Sequence, residues 1–203
     1  MGKGLVMTLT VIYMIRHAHS VFNLAEEETR GLSVQGMKDA ERVTHIMMKE
    51  KVDAVYSSSY TRAIQTVQGL ADVHNLGVQV DERFRERDMA AKDYILKDPE
   101  EAMQKVFNHP DLSLPGGESN NEVRARGAAA LKELLQRHEG ESVAVGIHGH
   151  IMSITMGAFN PAYGTLDFWK STSKPDIYKL VFEGEELLNV SRLWMAPALE
   201  GSV

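Results

Sequence analysis

The chain has 203 residues, 43% apolar and 25% charged, the profile of a globular protein long enough to bury a full core without staples. Lys and Arg number 22 against 28 Asp and Glu, and the resulting net charge of −6 argues against non-specific nucleic-acid binding. There is no cysteine, which excludes disulfides, thiolate zinc sites, iron–sulfur clusters and a cysteine nucleophile.

No targeting signal is read at the start of the chain. Val6 stands where a myristoylation signal needs Ser or Thr, and the opening Met-Gly-Lys-Gly lacks a secretory pattern. A cytoplasmic protein is expected. Residues 143–166 carry no Asp, Glu, Lys or Arg. His148, His150, Asn160, Pro161 and several glycines interrupt that stretch, so it reads as a buried segment near a site and not as a membrane span.

In chain order, residues 10–16 form a short β-rich run that reads as a buried strand. The polar stretch after it includes Glu26-Glu27-Glu28, read as solvated surface. Ser33 can cap a helix continuing to about Lys49, with Val34, Met37, Val43, Ile46 and Met47 mostly on one face. Residues 52–56 read as a second strand, ending in Ser57-Ser58-Ser59. A helix over about 60–74 has Ala63, Ile64, Val67, Leu70 and Ala71 at helical spacing, and 77–80 reads as a third, short strand.

Residues 84–117 are less regular, with one short helix beginning near Pro99 and a turn at Leu114-Pro-Gly-Gly117. A helix is expected over about 119–137, a buried strand over 142–147 and a helix over 150–159. Apolar runs at 177–182 and 188–194 suggest a closing hairpin around Gly184. Strands alternating with helices predict an α/β fold, with a mostly parallel central sheet covered on both faces. In such sheets, sites form at the carboxyl ends of the strands.

Those ends are chemically loaded. The first strand runs into Arg16-His17-Ala18-His19-Ser20, with Asn23 close behind. The second ends in Ser57-Ser58-Ser59, with Arg62 in the next helical turn, and the later strand ends in His148-Gly149-His150. Two arginines and four histidines thus gather with no charge of opposite sign beside them. Guanidinium forks match tetrahedral oxyanions, and backbone N–H groups at helix starts reinforce the field, so this inventory describes an anion site. Any one of these residues alone would read as a structural histidine or a surface charge; their convergence carries the argument.

Arg16-His17 after a strand, Ser57-Ser-Ser-Tyr-Thr-Arg62-Ala-Ile-Gln-Thr66, Pro115-Gly-Gly-Glu-Ser119 and His148-Gly149, taken in order, closely resemble the histidine phosphatase (phosphoglycerate mutase-like) superfamily. Gly31-Leu-Ser-Val-Gln-Gly36 is similar to that family's entry into its first helix, and the resemblance spans roughly residues 10–182. It implies a phosphoglycerate mutase-like fold forming one domain over 1–203, with 84–117 as a small, substrate-facing helical insertion. It further implies a nucleophilic His17 that carries the phosphoryl group, and a phosphate pocket of Arg16, Arg62 and His148, with Asn23 as an added ligand. His148 counts among the catalytic residues as well. Phe84-Arg-Glu-Arg-Asp88 resembles the segment bearing the general acid, which places that role on Glu86, with Asp88 as the second candidate. Glu86 is then the only acid expected in the pocket. No metal or other cofactor is implied.

The chemistry suits these residues. A neutral imidazole is a competent nucleophile near neutral pH, and two arginines can stabilise the equatorial oxygens of a transferring phosphoryl group. The chain departs from the family pattern at Ala18 and Ala90, where Gly is usual, and at His19, where Glu is frequent.

A metal-independent phosphomonoester hydrolase acting on a small phosphorylated substrate is therefore expected, with neither nucleic acid nor membrane as partner. A cofactor-dependent phosphoglycerate mutase-type phosphotransferase is the alternative. It is disfavoured because the interval from Asp88 to Leu114 is short and lacks a recognisable mutase pattern. A metallohydrolase using His17-Ala-His19 and His148-Gly-His150 is a third reading, opposed by the adjacent arginines. A non-catalytic phospholigand-binding protein is a fourth. Substrate identity and oligomeric state are not legible in the sequence.

Overall fold

Parallel pairing places the ends of four strands side by side along one edge of a six-stranded sheet. The computed structural model describes residues 8–195; residues 1–7, where targeting signals were sought, lie outside the described residues. The strands are β1 (Leu9–Arg16), β2 (Ala54–Ser57), β3 (Val78–Val80), β4 (Ser142–Ile147), β5 (Asp176–Glu183) and β6 (Glu186–Arg192). Their order is β3-β2-β4-β1-β5-β6. The first four are mutually parallel, and β5 and β6 add an antiparallel edge. The expected closing hairpin is this edge, with Gly184 at φ 56° in its turn. That left-handed backbone is where glycine costs least.

The two faces of the sheet bury different side chains, as the strand period of two requires. From β1, Tyr13 and Ile15 pack under α1 (Val34–Met47) and α2 (Thr61–Val73), in a cluster with Val43, Met47, Val55, Val67 and Leu70. Ile12 and Met14 face the opposite way, toward α4 (Asn120–Arg137) and α5 (Gly149–Phe159), in a cluster with Leu131, Leu134, Val145 and Ile151. β4 is buried along its whole length, the signature of a strand covered on both faces. The uncharged run at 143–166 is accounted for by β4 and α5, the latter buried from Gly149 to Met156. Among the described residues no helix is long and apolar enough to cross a membrane.

Two expectations need correction. Val34 and Met37 do not face the core; they are exposed, and α1 instead turns Gly36, Ala40, Val43 and Met47 inward. A side chain at Gly36 would meet the His19 carbonyl, so the close approach of α1 to the loop after β1 depends on a residue with no Cβ. Beyond α5, a short helix, α6 (Leu166–Ser171), was not anticipated. It is capped by Thr165, whose side chain accepts from Phe168 N. The helix near Pro99 is α3 (Pro99–Asn108), started by an Asp98 cap.

Helix α4 begins with a complete capping box: Ser119 Oγ accepts from Glu122 N, and the Glu122 carboxylate accepts from Ser119 N at 2.7 Å. Ser119→Ala removes one half of that exchange and leaves an amide without its side-chain partner. The variant should lose about 1 kcal/mol of stability, seen as a lower urea midpoint at unchanged m-value.

Candidate active site

Backbone hydrogen bonds across the parallel strands hold the predicted site in register. His17 N donates to Ile147 O, Ser58 N to Gly146 O and Asp81 N to Ser57 O, each at 2.9 Å. Four adjacent strands therefore release their chains at one level. β1 delivers Arg16 and His17, β2 delivers Ser58 and, one helical turn on, Arg62. β3 leads to the loop that bears Glu86, and β4 delivers His148.

His17 is 4% exposed and His148 fully buried, with their rings 5.1 Å apart, edge to face. His17 Nδ1 lies 2.7 Å from the Ala18 carbonyl, which can only accept, so Nδ1 carries the proton. Nε2 is then a bare lone pair, and it accepts from Arg62 Nε at 3.2 Å. Burial holds the His17 imidazole well below the usual histidine range, and the positive charges of Arg62 and Arg16 push the same way. A neutral imidazole with Nε2 unprotonated is the form a nucleophile requires.

His148 is treated alike by burial first and then by His17 and Arg62. Its Nε2 lies 2.7 Å from Ser58 Oγ, which accepts from Tyr60 N and has no acceptor but His148 for its own proton among the described residues. That arrangement puts the His148 proton on Nδ1, an atom with no partner among the described residues. Arg16 Nε is the other unpartnered buried nitrogen of this cluster, while Arg16 Nη1 donates to the Thr172 carbonyl and hydroxyl. Orphaned buried donors are rare and call for an explanation, and among the several in the described residues these two belong to one cationic cluster. Gly149 makes room for Arg16, since a Cβ there would sit 2.5 Å from the guanidinium carbon.

Glu27 overturns one expectation. It is not solvated surface, and Glu86 is not the only acid at the site. Arg62 Nη1 donates to the Glu27 carbonyl, Arg62 Nη2 to its carboxylate at 2.7 Å, and Arg30 forks the same carboxylate. Arg62 itself is 1% exposed and lies 4.9 Å from the centre of the Tyr60 ring. A guanidinium so deeply buried needs this acid, because an unpaired buried charge costs several kcal/mol.

Glu86 is held at the start of α5. Its carboxylate accepts from His150 N at 3.1 Å, Ile151 N at 3.0 Å and Arg87 N at 2.9 Å, and it bears on the charges of Arg16 and Arg62. The loop that carries it is clamped from behind. Glu118 binds Arg126 at 2.8 Å and Arg85 at 3.1 Å, and Arg126 Nη1 in turn donates to the carbonyls of Arg83 and Arg85. The Pro-Gly-Gly-Glu-Ser run thus supplies the brace for the acid's loop.

Not every predicted residue joins the cluster. The exposed Asn23 side chain caps a short turn, accepting from Ala25 N and donating to Glu26. The Asp88 carboxylate is turned toward Arg85, 3.7 Å away. His19 is exposed and pairs with Ser33, while His150 is buried against Asn120 and stacks on Phe107. Of the four histidines only His17 and His148 meet, so neither His-x-His pair points at a common centre. Among the described residues no group of three His, Asp or Glu is placed to hold a metal ion. Tyr163 packs on Phe168, Phe168 on Tyr178 and Trp169 on Phe107.

Ser58, Tyr60, Glu27, Thr172 and Lys174 were not singled out from the sequence. Lys174 adds positive potential at His17, and its own ammonium is lowered by desolvation and by Arg16. The signal for Ser58 and Tyr60 lay inside the matched motif. Nothing in the sequence pointed to Thr172 or Lys174, which come from the turn after the unanticipated α6.

Fold and site together define an α/β protein built round a buried histidine–arginine cluster. The pattern of the histidine phosphatase superfamily (branch 1) matches residues 12–190, and the chain belongs to that superfamily. It is 29% identical over 189 residues to phosphoglycerate mutase-like protein 4 of Arabidopsis thaliana, covering 86% of this chain and 81% of the relative. It is also 29% identical over 150 residues to phosphoserine phosphatase 1 of Hydrogenobacter thermophilus, covering 68% and 70%. A mycobacterial glucosyl-3-phosphoglycerate phosphatase shares the fold, with TM-score 0.72, 20% identity and coverage of 91% and 97%.

The three buried histidines carry a consequence for pH. His17 and His148 stay neutral well below the usual range, and burial pushes His150 down to about 3. In the unfolded chain each takes up a proton near pH 6.5, so stability is complete above that value and falls as pH drops below it. At about pH 5.5 the protein should be less stable than at about pH 7.5 by on the order of a few kcal/mol in all. Urea unfolding at the two pH values checks this, and equal stabilities would contradict it.

Proposed function

We propose that the protein is a metal-independent phosphomonoester hydrolase that works through a phosphohistidine on His17 Nε2. The observation that carries this reading is the bare, buried Nε2 of His17 beside two orphaned donors, Arg16 Nε and His148 Nδ1. The His17 lone pair attacks phosphorus and the phosphorus–ester oxygen bond breaks. Glu86, which takes up a proton from solvent as the substrate dianion binds beside it, gives that proton to the departing oxygen. Water then passes a proton back to Glu86 and attacks phosphorus, the phosphorus–nitrogen bond breaks, and His17 is restored with release of inorganic phosphate.

Before attack, the Arg62 Nε–H must leave His17 Nε2 and turn to a phosphate oxygen. An incoming dianion supplies the reason, since it offers the guanidinium a stronger acceptor than a neutral imidazole. Arg16, Arg62 and His148 then bind the equatorial oxygens, where charge develops. Asn23 joins as a further ligand once its side chain is released from the turn it caps. Hydrolysis in preference to mutase transfer is supported by the short stretch between Asp88 and Leu114, which holds the single helix α3. Residues 84–117 form the substrate-facing part of one domain in this reading. A cytoplasmic setting accords with a chain that has no cysteine for disulfides.

Incubation with a labelled phosphomonoester should give wild type an acid-labile, alkali-stable phosphoryl adduct that His17→Ala lacks. Phosphate release should fall by about 10³-fold or more in that variant, and Glu86→Gln should lose about 10²–10⁴-fold with alkoxide leaving groups. Turnover by His17→Ala at the wild-type rate contradicts the mechanism.

A further inference from the structure

Beside the catalytic cluster lies a cavity of about 370 Å³, within the range of small-molecule sites. It adjoins the proposed phosphate position through two shared residues. Tyr60 lies 5.0 Å from the His148 ring, centroid to centroid, and Glu27 holds Arg62. The cavity also begins one residue beyond Glu86, at Arg87. Through Tyr60, Glu27 and Arg87 this cavity borders the cluster, and it is taken as the place of the ester's alcohol.

The walls are apolar: Phe22, Tyr60, Met89, Tyr94 and Leu96. Phe22 is 72% exposed and Tyr94 is also exposed, an arrangement that leaves aromatic surface unburied at the cavity mouth. Exposed aromatic surface grouped at a cleft marks a place where something apolar is bound.

The charges around these walls do not favour an anion. Glu27 is already committed to Arg62 and Arg30. Two cations also line it: Arg87 is buried, its guanidinium donating to the Glu118 carbonyl and lying against the Met89 sulfur, and Lys92 is exposed. Glu28 and Asp88 remain on the rim, faced by Lys92 at 3.8 Å from Glu28 and by Arg85 at 3.7 Å from Asp88. Both pairs are long and solvent-exposed, so neither neutralises its acid firmly. The Tyr60 hydroxyl reports the same field. Desolvation pushes it up to about 12, with Asp88 and Glu28 contributing and Arg85 opposing.

We infer that the leaving group is a compact apolar alcohol, aromatic or similar in size, that is uncharged or cationic, and that esters bearing a carboxylate on the leaving group are poor substrates. This rests on the phosphohydrolase reading and narrows its substrate class. Phosphoglycerates and other carboxylated phosphate esters would set their acid against Glu28 and Asp88, with only the solvent-exposed Lys92 to receive it. The cationic residues Arg16, Arg62 and Lys174 serve the phosphate end only.

Three phenyl phosphates test this: para-methyl, para-aminomethyl and para-carboxymethyl. They differ in charge at one remote atom while a methylene keeps the leaving oxygen comparable. With the full chain, kcat/KM for phosphate release should be about tenfold or more higher for the methyl and aminomethyl esters than for the carboxymethyl ester, the size of one partly screened like-charge contact. In Glu28→Lys the ratio of carboxymethyl to methyl should rise several-fold. Equal or better turnover of the carboxymethyl ester by wild type overturns the inference and leaves the hydrolase reading standing. No phosphate from any of the three, together with no adduct on His17, overturns the hydrolase reading and the inference with it.

Discussion

The hydrogen bond from Arg62 Nε to His17 Nε2 joins a buried guanidinium to a buried imidazole, and each fixes the state of the other. Arg62 cannot leave its charge unpaired in the interior, so it takes the Glu27 carboxylate, the Glu27 carbonyl and the Tyr60 ring as surroundings. His17 is disfavoured as an imidazolium against that guanidinium, so it stays neutral and keeps its Nε2 lone pair on Arg62 Nε–H. The Ala18 carbonyl completes the arrangement by claiming the proton on Nδ1. In the proposed mechanism the nucleophile and its oxyanion ligand thus preorganise each other before any substrate arrives.

The fold exists to make that contact repeatable. Arg62 sits in the first turn of α2, and His17 directly follows β1; parallel pairing through β4 sets both at one height. Thr66, one turn further along α2, accepts from Ala18 N and donates to the Arg62 carbonyl, tying the histidine's own loop to that helix. On the other flank, Asp176 pairs with Arg192 and accepts from Ser173 N, which shapes the turn that brings Thr172 to Arg16. Arg16, Arg62 and Lys174 gather at this cluster, and the neighbouring cavity carries Glu28 and Asp88 in its lining. A net charge of −6 on the whole chain is therefore no obstacle to a small phosphate ester, because the local field decides.

Much of this was legible from residue order. β1, β4 and α2 are strongly patterned, and parallel strands force whatever follows them to one edge, so Arg16, His17, Arg62 and His148 could be grouped without coordinates. The family resemblance then supplied Glu86, which no periodicity marks. The outward turn of Val34 and Met37 escaped because α1 docks through Gly36 and Ala40, and contacts made by small residues leave no hydrophobic signal. Glu27 escaped for a different reason. Three consecutive glutamates look like solvated charge, and its pairing with Arg62 is a tertiary contact across 35 residues. Thr172 and Lys174 depend on α6, a helix of six residues too short to show a period.

The protonation of His17 in the resting protein tests the central claim most directly. Nitrogen-15 correlation spectra of histidine-labelled protein, recorded from about pH 8 down to about pH 5.5, distinguish a bare imidazole nitrogen from a protonated one. The account predicts that His17 keeps one bare nitrogen, Nε2, and a protonated Nδ1 across the whole range. An imidazolium signal for His17 at about pH 6, or a proton on Nε2 at any pH in the range, would contradict it.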